Sequence, residues 1–310
     1  MLTGQESNSE FKPSGKPFIK VFTNYHSTFA NDAVHNEFEI QRAYFGYGVN
    51  LSKNFSAKVT LDVGSPGVGN LDLTAYLKNA YFQYKKDHFS LKFGMIGLSQ
   101  FALQEKQWGA RYLYKSFQDQ HKFGSSADLG VHVAYKLHKM LSIDASILNG
   151  EGYKLVEVDS IFKYTVGMTI KPLKGLALRA YYDRMGTENS QQSLSFYLGY
   201  SLDKLKLGAE YNHQLNYKIA EGHDRTGLSF YSSYSLKKAK IFARYDQLAS
   251  VTIEGEDNPW DIGKDGQAIL AGIEFAPLRG LKITPNYQLW LPASEASNVN
   301  SFYLSCEINF

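Results

Sequence analysis

Apolar and polar residues alternate through almost the whole chain, and the pattern is cleanest at its end. There Phe302, Leu304, Cys306, Ile308 and Phe310 fall on one face of a strand, and Tyr303, Ser305, Glu307 and Asn309 on the other. Every second residue of a strand shares a face, so this pattern describes a sheet wetted on one side only. Phe89, Leu91, Phe93 and Met95 against Ser90, Lys92 and Gly94 repeat it, as do Leu194, Phe196, Leu198 and Tyr200 against Ser193, Ser195, Tyr197 and Gly199.

Alternation and turn chemistry together predict sixteen strands, near 17–30, 36–51, 55–64, 73–86, 88–97, 123–137, 140–149, 159–171, 175–185, 191–202, 204–217, 225–236, 239–250, 266–276, 280–290 and 299–310. Most reach the roughly 9 to 11 residues that a tilted strand needs to cross a bilayer. Connections alternate between short turns, such as 86–87 and 237–238, and longer polar segments at 31–35, 65–72, 98–122, 150–158 and 251–265. Short turns at one rim, long loops at the other and an even strand number define an antiparallel transmembrane β-barrel over residues 17–310, behind a polar tail 1–16. A soluble sandwich would alternate too, with its apolar face inside. The continuous apolar face, the glycine- and serine-rich polar face and the terminal Phe310 favour apolar outside and wet inside.

Composition removes other classes. The longest apolar runs are a few residues, far short of the roughly 18 of a transmembrane helix. Lysine and arginine number 33 against 30 acidic residues, spread along the chain, which argues against a nucleic-acid surface. The single Cys306 permits no intramolecular disulfide. G-x-S-x-G, a phosphate loop and paired-cysteine zinc spacing are all missing, so the expectation is a non-enzyme without cofactor. A lipid-face His213 and Ser232 on neighbouring strands form the one catalytic alternative in the sequence. Loop 254–265 offers oxygen ligands suited to calcium, without EF-hand spacing. Pro285 cannot donate a ladder hydrogen bond and predicts a bulge or gap in strand 15. Residues 1–10 lack the basic start and apolar middle of a secretory signal, so the chain reads as a mature exported protein.

Residues Tyr303 to Phe310 resemble the C-terminal strand signal of outer-membrane proteins. That resemblance implies that Phe310 is read by the barrel-assembly machinery and that the chain resides among lipids of the bacterial outer membrane. Residues 104–112, with 115–119 and 123–130, resemble the Bacteroidetes porins related to phosphate-selective porins O and P. It implies passive diffusion of ions and small hydrophilic solutes, a third loop folded into the channel, and an assembly that includes homotrimers.

Leu98, Phe101, Leu103 and Trp108 are poorly suited to an exposed loop, which favours an inward-folded segment 98–122. Its charges Glu105, Lys106, Arg111, Lys115 and Asp119 then become candidates for the pore constriction, where fixed charges act in a focused field. Candidate wall residues carry both signs: Arg42, Lys58, Lys92, Asp128, Arg179, Asp183, Lys206, Glu210, Arg244 and Asp246. With Lys122 included, the loop has four basic against two acidic groups, a mild anion preference. The arginine run of the phosphate-selective relatives does not map onto the seven arginines of this chain. Two alternatives stay open: a channel specific for phosphate, another small anion or an oligosaccharide, using Tyr197, Tyr231 or Tyr303, and a non-transport barrel serving as a lipid-face enzyme or in adhesion.

Overall fold

The computed structural model describes residues 11–31, 33–65, 67 and 71–310. Sixteen antiparallel strands follow in chain order: β1 (Ser14–Ala30), β2 (Ala33–Asn50), β3 (Phe55–Gly64), β4 (Thr74–Lys86), β5 (Phe89–Gly97), β6 (Ala127–His138), β7 (Leu141–Leu148) and β8 (Lys163–Ile170) form the first half. The second half is β9 (Leu176–Gly186), β10 (Ser190–Leu202), β11 (Leu205–Leu215), β12 (Arg225–Ser235), β13 (Ala239–Ser250), β14 (Gly266–Leu278), β15 (Leu281–Pro292) and β16 (Val299–Asn309). Each pairs with its neighbours in sequence, and β1 pairs with β16 from Lys20↔Asn309 to Phe29↔Asn300, closing the barrel. Closure leaves no free edge, so the ladder satisfies the backbone without help from water.

The barrel is apolar outside and polar inside. Phe93, Leu129, Phe196, Leu198, Phe230, Phe302 and Leu304 are all exposed, whereas Asp62, Asp183, Asn212, Ser229 and Asp246 have no exposed surface. Removing one large apolar side chain from water is worth about 1.5–3 kcal/mol. A belt of dozens such residues is therefore stable only against hydrocarbon.

Four details depart from the sequence expectations. Strand β1 begins at Ser14, so the tail ends earlier than residue 16; residues 1–10 of that tail lie outside the described residues. The connection expected at 31–35 is a tight turn, with Ala30 paired to Ala33 and Asn31 at φ 48°. Strand β6 starts at Ala127 rather than 123, because Phe123 is drawn into a buried cluster with Phe117 and Leu248. Strand β8 starts at Lys163 rather than 159, where the short β7 ends in the pair Leu148↔Lys163 and offers nothing further to bond. At Pro285 the ladder to β14 stops at Gly272↔Asn286 and resumes at Phe275↔Ile283, the gap that a missing N–H requires.

Candidate functional site

The connection between β5 and β6 carries two short helices, α1 (Ala102–Trp108) and α2 (Phe117–Gln120). Gly109 ends α1 in the left-handed conformation at φ 66°, returning its N–H to the Glu105 carbonyl. The chain then turns back so that Phe101, Trp108, Tyr112, Leu113, Phe117 and Phe123 are all buried. Trp108, Tyr112 and Leu113 form one apolar cluster with Phe22, Tyr44, Tyr197, Tyr231 and Phe242 of the wall. The main hydrophobic core of the protein therefore lies inside the barrel, between this segment and one arc of the wall.

Polar contacts fix the segment to the same arc. Arg244 donates from Nη1 to the Lys115 carbonyl at 2.8 Å and lies 5.1 Å from the Trp108 ring. Arg225 donates to the Lys122 carbonyl at 2.8 Å, and Gln107 to the Tyr200 carbonyl at 2.9 Å. The Tyr112 hydroxyl donates to Glu274 at 2.8 Å. Hydrogen bonds to a charged group contribute about 1.5–3 kcal/mol each, so the two arginine contacts and the Tyr112 bond to Glu274 weigh most in this attachment.

Apart from Phe22 and Tyr44, which pack on the loop's Tyr112 cluster, the polar side chains of β2 to β4 face open cavities, and Arg111 marks the narrow place between them and the loop. Its side chain borders cavities of about 590 Å³ and 350 Å³ toward the long-loop rim and one of about 570 Å³ toward the short-turn rim. Arg111 is held between Glu105, at 2.6 Å, and Asp119. Across from it, the fully buried Asp62 takes Arg42 at 3.0 Å, Lys78 at 3.7 Å and the Tyr153 hydroxyl at 3.1 Å. Lys154 reaches into the same space and donates to the Ser65 carbonyl at 3.0 Å.

Five cations, Arg42, Lys78, Arg111, Lys115 and Lys154, thus meet three carboxylates, Asp62, Glu105 and Asp119. The crowding is visible in the loop amines. Burial lowers the Lys115 pKa, and Arg111, Arg42 and Lys78 lower it further against the pull of Asp119. Lys154 is brought down to about 8 by burial and by Arg42, Lys115 and Lys78.

Of the loop candidates, Glu105, Arg111, Lys115 and Asp119 come together here, while Lys106 is exposed on the short-turn side, where it lines the cavity with Lys58. Among the wall candidates only Arg42 joins them. Arg179 makes a two-pronged pair with Asp144 at 2.8 and 3.0 Å, and Arg244 does so with Asp246 at 2.8 and 2.7 Å. Asp183 takes Lys163 at 3.0 Å, and Glu210 accepts from Gln118 at 3.3 Å beneath the loop. Asp128 accepts from the backbone of Leu129 and Gly150, and Lys92 lies over Tyr81. Lys206 sits near the short-turn rim, paired in register with Ser233. Phe310 closes the ladder through Ile19 and is exposed.

Three other expectations change. His213 pairs in register with Thr226 and Ser232 with Leu207, six residues apart along β11 or about 20 Å, so they form no dyad. Tyr197 and Tyr231 bond to each other at 2.7 Å beneath the loop, whereas Tyr303 borders the cavity it shares with Arg42 and Arg111. In loop 254–265, Asp261 pairs with Lys264 and Asp265 with Ser250, and among the described residues its carboxylates do not gather around a common point.

Sequence alternation missed Lys78 because of a β-bulge. Thr60 pairs with Asn79 but Leu61 with Leu77, so Lys78 is the extra residue and both it and Asn79 turn inward. A second shift, between Phe22 and Thr23 in the β1–β2 ladder, frames Arg42 in the same way.

No family model matches the chain, and no curated protein is similar to it in sequence. Solved structures do share its fold. Salmonella typhi OmpF, in a complex with daunomycin, superposes with TM-score 0.72 at 12% identity, over 96% of this chain and 97% of that one. Pseudomonas putida OprB gives 0.71 at 12% identity, covering 96% and 94%. The anion-selective porin of Comamonas acidovorans gives 0.68 at 10% identity, covering 96% and 100%.

Proposed function

We propose that this chain is a non-enzymatic porin of the bacterial outer membrane, passing ions and small hydrophilic solutes down their gradients with a preference for anions. One observation carries the reading: within a closed barrel with an apolar exterior, polar cavities meet from both rims at Arg111, beside a loop fastened to the far wall. The excess of two positive charges around Arg111 favours anions, because a narrow route between low-dielectric walls focuses its fixed charges. The fold shared with OmpF, OprB and the anion-selective porin supports the same reading. In it the short turns face the periplasm, Phe310 is the recognition point for the assembly machinery, lipid contacts the outer belt, and three copies associate.

The finer resemblance, to the Bacteroidetes porins related to phosphate-selective porins O and P, proposes phosphate as a favoured permeant. The convergence of Arg42, Lys78, Arg111 and Lys115 speaks for it, since clustered cations suit a compact oxyanion.

Planar-bilayer recording of the purified protein tests both. Ohmic steps whose reversal potential in a salt gradient has the anion sign are expected. Block by millimolar phosphate establishes the specific channel, and absence of current overturns the transport reading in favour of a structural or adhesive barrel.

A further inference from the structure

We propose that His26, His35 and Glu37 form a binding site for a divalent transition-metal ion of the zinc class inside the long-loop mouth of the barrel. The ligand atoms of the three side chains lie within 4.8 Å of one another. They come from two strands: His26 pairs directly with Glu37 across β1 and β2, and His35 pairs with Thr28 one step along the same face. Two imidazoles and one carboxylate are a donor set for zinc, nickel or copper rather than for calcium or magnesium, which take oxygen.

The surroundings prepare His26 as a ligand. The Glu39 carboxylate can only accept, so the Asn24 atom 2.8 Å from it is the amide nitrogen. That places Asn24 Oδ1 toward His26 Nδ1, at 2.8 Å, where it accepts the ring proton. The lone pair of His26 is therefore left on Nε2. Such an outer hydrogen bond, fixing tautomer and ring orientation, is the usual companion of a metal-bound histidine. The ring is also stacked on Tyr303 at 4.9 Å.

His35 and Glu37 are exposed, with His35 Nε2 2.9 Å from Glu37 Oε2. Ligand atoms around a tetrahedral zinc stand about 3.3 Å apart, given bonds of about 2.0–2.1 Å. Small rotations of these two free side chains about their own bonds bring the set to that spacing. Water supplies the remaining position, since the site opens to the lumen.

Isothermal titration of the purified barrel in detergent with zinc chloride tests the site without reference to conduction. The expected result is one zinc per chain, with affinity weakened at least ten-fold in each of His26→Ala, His35→Ala and Glu37→Gln, and unaffected by excess calcium. Asn24→Ala is expected to weaken binding about ten-fold as well, the effect of losing an orienting partner. A parallel spectrum with copper(II) is expected to show nitrogen coupling that falls on replacing either histidine. No binding at micromolar zinc, or unchanged affinity in both His35→Ala and Glu37→Gln, overturns the proposal; those two exposed positions decide even if His26→Ala fails to fold. A reduction seen only in variants of the remaining histidines would equally overturn it.

Discussion

The hydroxyl of Tyr112 donates to Glu274 across 2.8 Å, joining the middle of the inward loop to a strand 162 residues further along the chain. Glu274 is held in turn by Lys240 at 2.9 Å. A hydrogen bond to a charged partner contributes about 1.5–3 kcal/mol. Tyr112→Phe is therefore expected to keep the barrel intact while loosening the loop. Single-channel recording should show the same mean conductance with increased open-channel noise; a current as quiet as the parent's would mean that the apolar packing of Tyr112 alone holds the segment.

Arg111 is the cation that all three cavities share. Replacing it by glutamine leaves Glu105 and Asp119 without their common partner and lowers the local charge by one. The reversal potential in a potassium chloride gradient is expected to move toward cation preference, with Lys106→Gln, on the exposed short-turn side, moving it less. Equal shifts for the two variants would place the selective point elsewhere.

Gly227 leaves room for Phe117. A Cβ at residue 227 would lie 2.1 Å from Phe117 Cζ and 2.2 Å from its Cε1, and Phe117 is fully buried. Overpacking of this kind costs about 1–3 kcal/mol. Gly227→Val is expected to lower the unfolding temperature and, by pressing α2 into the open side, to reduce conductance. Gly48→Ala, where an added Cβ meets nothing within 4 Å, is the control that should change neither.

Lys154 loses its proton near pH 8, brought down by burial and by the neighbouring Arg42, Lys115 and Lys78. Below that value the amine adds a charge to the long-loop side of the narrow place at Arg111, and above it the charge is gone. Anion preference is accordingly expected to fall between pH 7 and 9. Lys154→Gln should start lower and lose this step; a parent channel whose reversal potential is flat over the interval contradicts the assignment.

Most of the architecture was legible because a strand repeats every two residues, and a chain with apolar outside and polar inside shows that repeat undiluted. Phe101 and Trp108 likewise announced a loop with somewhere to pack. Lys78 was hidden by its bulge, which puts neighbouring residues on one face and breaks the repeat locally. Arg179 and Arg244 face inward as the alternation requires, and Asp246 shares the face of Arg244 two residues along the same strand, yet the carbonyls of Gln100 and Lys115 that they also hold depend on where the loop lies. Lys154 sits in a connection with no period at all, so only the folded chain brings it beside Arg42.

The loop is hydrogen-bonded to β10 to β14, and Arg42, Thr60 and Lys78 of β2 to β4 face the cavities. The anchors of the loop and the charges that face it therefore lie on different strands of one cylinder. Arg42, Thr60 and Lys78 can be exchanged without disturbing the arginine anchors, whereas a change at Arg225 or Arg244 unseats the loop and resets every charge it carries. A barrel divided in this way can acquire a new diet through substitutions on three consecutive strands, while the remainder goes on folding as before.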